Sequence, residues 1–294
     1  MADESDEWDE SWMQPTKAMP SVVYYYCTVD TLVKIVSNKT LWLTNLFFLN
    51  DSEEHFWLRN KARSFIAEMI ERHPDEFGFQ YLETILKQEW RHEIYCSCFS
   101  EHHDLLSQWR AYGDDGKGFA IGFSTGHLKW LADKVQGAFA NVIYDNEEQR
   151  ALVENAFELY PRLCDGEDPT IEEGSGTILH RISEAASRCK SMAFSEEAEW
   201  RLVCRPSYVE PQDESIWSKA LSPRFVERRG VITPFVELPL VEGSAYTKRG
   251  TEAIKEIILG PKNTSAEQKY SLEAMLIRGG FKRVELRHSA VSYR

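Results

Sequence analysis

Glu197 and Glu199, two positions apart and followed by Arg201, are the residues in this sequence best suited to acid–base or electrostatic chemistry. Close carboxylates raise each other's pKa, so one can act as a base while the other stays ionised as an electrostatic stabiliser. In an extended segment, residues two apart share a face, so Arg201 would point the same way and neutralise one acid. The plain alternative is a solvated charged turn. In the run Tyr24-Tyr25-Tyr26-Cys27-Thr28, alternation sends Tyr24 and Tyr26 to one face and Tyr25 to the other. These rings either pack a core or stack on a planar ligand while a hydroxyl anchors its polar edge.

Two further groups are candidates for ligand contact. Asn50-Asp51-Ser52-Glu53-Glu54 follows a strand and opens a helix. Asp51 and Ser52 are either helix caps or, with Asn50, contacts for an anionic or ribose-bearing ligand at the helix N-terminus. Ser100 ends a strand, and Trp109 and Tyr112 lie three apart on one helix face. That face is either core or the aromatic wall of a pocket. Gly116 and Gly118 allow a tight turn nearby.

Other chemistries fit less well. His92, Cys96, Cys98, His102 and His103 contain ligand types for zinc, but Cys-x-Cys on a strand lacks the usual Cys-x-x-Cys knuckle, so no metal is expected. There is no Walker loop, no dinucleotide-binding glycine fingerprint and no Gly-x-Ser-x-Gly elbow. A metal-dependent nuclease could be assembled from Asp51, Glu54, Glu197 and Glu199, yet the net charge of −13 is unsuited to gripping a phosphate backbone. A third alternative is a module that senses a ligand or binds a partner without catalysis.

The elements that must position these residues follow from periodicity. Strands are expected over 21–28, 41–44, 94–100, 118–124, 138–144, 200–205, 231–240, 254–259 and 284–288. Pro234 marks the start of 231–240 as a sheet edge. Helices are expected over 31–37 with Asp30 as N-cap, then 55–73, 79–92, 105–112, 128–135, 147–160, 178–192, and 266–278 capped by Ser265. Residues 165–176 read as a polar loop. Strands and helices mix without strict alternation, which predicts one α+β domain over 20–294 with a mixed or antiparallel sheet, the helices at 54–92 and 147–192 being insertions around it. The 43% apolar share is ample for a core.

Residues 1–19 read as a disordered acidic tail. The first twelve carry six acids and no base, and without them 41 acids face 34 bases, so the body is only mildly acidic. Trp8 and Trp12 give that tail a means of docking on the body or on a protein partner. No apolar run is long enough to span a membrane, the N-terminus does not resemble a targeting peptide, and six scattered cysteines suit a reducing cytoplasm.

Taken together, these motifs resemble a bacterial family known as domain of unknown function twenty-nine seventy-one. The match rests on Tyr24 to Tyr26, Leu41 to Thr44, Asn50-Asp51 with Glu54, Cys98-Phe99-Ser100, Trp109 with Tyr112, Gly116 to Phe119, and Glu197-x-Glu199-x-Arg201. The resemblance implies a toxin or phage-defence setting. The chain also resembles ADP-ribosyltransferases that modify nucleic acids. The order of aromatic strand, short helix 31–37, strand 41–44 and late Glu199 carries that likeness, although the first strand has no histidine and no Ser-Thr-Ser triplet is present.

The second resemblance implies NAD as substrate, for ADP-ribosyl transfer or NAD cleavage. Glu199 would be the catalytic carboxylate and Glu197 would orient an acceptor, either protein or nucleic acid. Tyr25 or Tyr26, Trp109 and Tyr112 would line the ligand, while Asn50, Asp51 and Ser100 would contact ribose or amide groups.

Overall fold

A computed structural model describes residues 14–49, 54–75, 77–87, 94–157, 171–206, 216–228, 230–242 and 252–293. The β-branched and aromatic run Val22–Cys27 forms strand β1. Thr28, not Asp30, then caps helix α1 (Val29–Asn38), its hydroxyl accepting the Thr31 N–H at 3.3 Å. Asp30 instead sits inside the first turn, where its charge suits the helix dipole. Leu32, Ile35 and Val36 make the buried face of α1. Strand β2 (Thr40–Asn45) follows, then helices α2 (Glu54–Arg72) and α3 (Phe77–Lys87).

The chain returns to the sheet as β3 (Tyr95–Ser100), helix α4 (Leu106–Ala111), β4 (Phe119–Ser124), helix α5 (Thr125–Lys134) and β5 (Ala138–Asn141). Helices α6 (Asn146–Phe157) and α7 (Ile171–Ala186) come next. The expected loop over 165–176 is therefore helical from Ile171, despite two glycines whose low helix propensity masks the start. Strand β6 (Glu199–Cys204), the short helix α8 (Ile216–Ala220), β7 (Arg224–Arg228), β8 (Val231–Pro239), β9 (Ile254–Leu259), helix α9 (Ala266–Gly279) and β10 (Glu285–His288) complete the described chain.

The protein is α+β with one open mixed sheet, in the order β10-β9-β4-β1-β3-β2-β8-β7, and β6 and β5 branch from β3. Only the β10–β9 pair is parallel among the described strands. Strand β7, absent from the expectations because Arg-Phe-Val-Glu-Arg has no clear alternation, is the outer strand. Pro234 lies where β8 has passed beyond β2 and is paired only with β7, a position that tolerates the missing N–H.

The main core joins the sheet to α1, α5 and α9, and includes Val23, Leu43, Phe99, Phe123, Trp200 and Leu276. Helices α2, α3, α6 and α7 share a separate core built around Leu58, Ile66, Leu82, Val153 and Ile182, as expected of insertions beside the sheet. No described helix is long and apolar enough to cross a membrane. Residues 14–19 run against the body. The Thr16 N–H donates to Asn141 Oδ1 at 2.8 Å, and Lys17 pairs with Glu101 at 2.7 Å. Trp8 and Trp12 lie outside the described residues.

A candidate active site in the opening between two strands

Strand β3 has two unequal edges. Along one edge β6 pairs with it over its whole length, from Tyr95 opposite Cys204 to Ser100 opposite Glu199. On the other edge β1 touches it only at Tyr24 opposite Ser100, and β2 only at Thr44 and Asn45 opposite Cys96 and Tyr95. Between these two contacts residues 97–99 have no strand partner on that edge among the described residues. The sheet opens there, and a cavity of about 210 Å³ occupies the opening. Because it lies between strands, residues from both strand faces reach it, including Tyr24, Tyr25 and Tyr26 together.

The same register brings the acids in. Tyr24, Ser100 and Glu199 are consecutive partners across three antiparallel strands, so they share a face. Glu197 arrives differently from the extended geometry expected of it. It ends a 3-10 turn (Met192–Glu197), Ala198 takes a left-handed conformation at φ 43°, and β6 starts at Glu199. The kink turns both carboxylates toward Lys190. Lys190 Nζ lies 2.6 Å from Glu197 Oε2 and 3.3 Å from Glu199 Oε2.

Lys190 carries no recognisable motif, and its position comes from backbone pairing. Its N–H donates to Ile143 O, and the Gln149 amide bridges the carbonyls of Ile143 and Lys190 at 2.7 and 2.9 Å. Arg201 holds Glu199 from the far side, with Nε on Oε1 at 2.7 Å and Nη2 on Oε2 at 3.1 Å, while Nη1 donates to Ser187 O at 2.7 Å. The Glu199 N–H donates to the Tyr144 hydroxyl at 3.0 Å.

Burial raises the pKa of Glu199 above the usual carboxylate range; Lys190 and the Cys98 thiol oppose that rise and Glu197 adds to it. For Lys190, burial pulls the pKa down, but Glu199 and Glu197 more than offset it, so the amine stays an ammonium. Cys98 lines the cavity, yet contact with Cys96, burial and the neighbouring Glu199 charge push its thiol pKa well up, which disfavours the thiolate that a nucleophile needs.

Of the two acids Glu197 is the more open: its side chain is 17% exposed, against 6% for Glu199. Its Oε1 also accepts from the Tyr112 hydroxyl at 3.3 Å. Tyr112 and Tyr25 both line the cavity, and Tyr25 leans on Phe99 at 5.8 Å between ring centroids. Tyr26 lines it too, but its hydroxyl is committed, donating to His102 O at 2.8 Å and accepting from the Leu105 N–H at 3.0 Å. Ser100 is also committed, donating to Glu197 O at 2.7 Å and so holding the turn that carries that glutamate.

Trp109 is not a pocket wall. It is fully buried, packs edge-on against Tyr26 at 4.8 Å, and donates its indole N–H to Asp104 at 2.7 Å. Helical spacing placed it correctly beside Tyr112; its larger apolar ring went to the core while the tyrosine kept its hydroxyl at the cavity. Asn50 and Asp51 lie outside the described residues. Among the described residues no three His, Cys, Asp or Glu side chains are grouped to hold a metal ion.

Lys190, Arg228, Trp42 and Thr44 also line the cavity, as do two polar side chains, Gln108 and Ser97, that are buried. Ser97 Oγ has no hydrogen-bond partner among the described residues. Lys190, Arg228 and Ser97 gave no signal in the sequence, since a lone base or serine outside a motif is indistinguishable from surface or core polarity. The turn singled out at Gly116 and Gly118 packs against the end of β1 and against Pro261 rather than lining the cavity. A Cβ on Gly118 would lie 2.1 Å from Cys27 O, and Gly116 takes φ +85°.

Residues 108–202 match the family model described as "Protein of unknown function (DUF2971)". The matched segment runs from Gln108 through β4, β5 and the turn carrying Glu197 to Leu202, so it includes the glutamates, Lys190, Arg201 and Tyr112. No curated protein and no solved structure matches the chain. The comparisons give the ADP-ribosyltransferase resemblance no support.

Proposed function

We propose that the opening beside β3 binds the nicotinamide riboside end of NAD and cleaves its glycosidic bond, by ADP-ribosyl transfer or by hydrolysis. One observation carries this reading: Glu197 and Glu199, joined through Lys190, line the same cavity as Tyr25, Tyr26 and Tyr112. The cavity has room for one aromatic ring and a sugar. Tyr25 offers a ring face for nicotinamide, and Gln108 an amide for its carboxamide. The unpartnered Ser97 hydroxyl suits a polar group of the ligand.

In the reaction the bond between C1′ and the nicotinamide nitrogen breaks, and its electron pair leaves with the nitrogen. Nicotinamide departs neutral and needs no proton. Positive charge develops at C1′ and the ring oxygen, where an adjacent carboxylate stabilises it. The oxygen of an acceptor or of water then bonds to C1′ and gives up its proton to that carboxylate. Glu197, the more open acid, takes this role, while Glu199 fixes Lys190 and Arg201. This distribution moves the reacting position from Glu199 to Glu197. The acceptor would be a protein or a nucleic acid, and the acidic N-terminal residues would serve a protein partner. Free thiols at Cys27, Cys96, Cys98, Cys189 and Cys204 suit a reducing cytoplasm.

One observation favours a second reading, ligand binding without turnover: both oxygens of Glu197 are already engaged, Oε2 by Lys190 and Oε1 by the Tyr112 hydroxyl. The two separate by experiment. Labelled NAD is incubated with the protein and a cell lysate, using wild type, Glu197→Gln and Glu199→Gln. Release of nicotinamide or a labelled product that Glu197→Gln abolishes supports catalysis. NAD bound but unchanged by all three proteins supports the binding module.

A further inference from the structure

A second cavity, of about 220 Å³, lies beside the first on the outer part of the sheet, and the two share three wall residues: Tyr25, Trp42 and Arg228. Arg228 is the last residue of β7. Its Nη1 donates to Thr44 Oγ1 at 3.3 Å, and it forms no ion pair among the described residues. The neighbouring Glu227, also in the wall of the second cavity, accepts the Gly230 N–H on Oε1 at 2.6 Å. A guanidinium without a carboxylate partner among the described residues, set where two cavities meet, is a site for an anion that spans both.

The second cavity also has what a planar ring needs. Trp42 is held by Phe235, stacked at 4.0 Å, and by its indole N–H bond to Glu237 at 3.0 Å. Lys34, in the same wall, places its ammonium 5.8 Å from the Trp42 ring and 2.7 Å from Asp30. A fixed indole with a lysine above it presents a stacking face and a second cation.

We propose that the two cavities are halves of one site for a ligand with a diphosphate at its centre and a ring at each end. Arg228 grips the diphosphate, and the ring in the outer half stacks on Trp42. The inference rests on the ribosyl-transfer reading only for the identity of the ring bound at the glutamate end.

The test is equilibrium binding by calorimetry of ADP-ribose, AMP and nicotinamide to the full chain. ADP-ribose carries the diphosphate and lacks the scissile bond. Arg228→Gln is expected to weaken ADP-ribose at least tenfold and nicotinamide far less, and a wild-type melting temperature shows that the variant is folded. Trp42→Leu is expected to weaken both ADP-ribose and AMP. Unchanged ADP-ribose affinity in Arg228→Gln, or no ADP-ribose binding by wild type, overturns the proposal. ADP-ribose binding that depends on Arg228 while NAD is not turned over upholds the proposal and overturns the ribosyl-transfer reading.

Discussion

The carboxylate–guanidinium pair at the centre of the site makes a quantitative demand on stability. Arg201 has no exposed side-chain surface and binds both oxygens of Glu199, whose side chain is 6% exposed. Removing one partner of such a pair leaves a buried charge uncompensated and typically costs about 3–5 kcal/mol. Lys190, 3.3 Å from Glu199, remains after Arg201→Met and retains part of the pairing. The cost should therefore fall at the low end, at about 3 kcal/mol. For a chain of 294 residues that lowers Tm by about 5 °C.

Adding Glu199→Gln removes the stranded charge, and the amide oxygen still accepts from Lys190. The double variant should therefore be more stable than Arg201→Met alone, by about 1–2 kcal/mol. Urea titrations of the wild type, both single variants and the double variant close the cycle. A cost below about 1 kcal/mol for Arg201→Met, or single effects that simply add, would mean that no buried charge is stranded.

Gly118→Ala should cost about 2–3 kcal/mol, because its Cβ meets Cys27 O and Gly113 O in a turn that cannot retreat; a melting temperature within a degree of wild type would contradict the close approach. Glu101 titrates below its ordinary value because, although burial opposes the shift, Lys17 and the Trp200 indole bind its charged form. Its stabilisation is thus present above pH about 4.3 and is lost as pH falls through the lower folded value. Acid titrations of stability should show a steeper loss for wild type than for Glu101→Gln between roughly pH 5 and 3, and parallel curves would count against the pair. Cys98 should resist iodoacetamide at pH 7.5 in the native chain and react once urea unfolds it, as mass mapping will show; labelling at the rate of a free thiol would mean that it is ionised and reactive.

Much of the framework was legible because its strands are strongly patterned. Val22–Cys27, Tyr95–Ser100, Phe119–Ser124 and Ile254–Leu259 combine β-branched or aromatic residues with glycine or polar breaks, and each forms a strand as expected. Strand β7 was hidden because an outer strand buries little and needs no alternation; Phe225 is 69% exposed. The site divides the same way. Glu197, Glu199 and Tyr112 were visible from chemistry and spacing. Lys190 was not, since its place depends on a bridge between Ile143 and Cys189 that joins segments 46 residues apart. Nor was the opening itself, which exists because β1 and β2 each meet β3 at one end only, a property of register that local pattern does not carry. Trp109 shows the limit of helical spacing, which assigns a face but not what that face meets.

The proposed reaction rests on the claim that Glu197 faces the reacting ribose. Parallel measurement of NAD affinity and nicotinamide release for wild type and Glu197→Gln tests it most directly. The variant is expected to bind NAD as wild type does and to release nicotinamide at least about 100-fold more slowly. Release at the wild-type rate by the bound variant would contradict the claim.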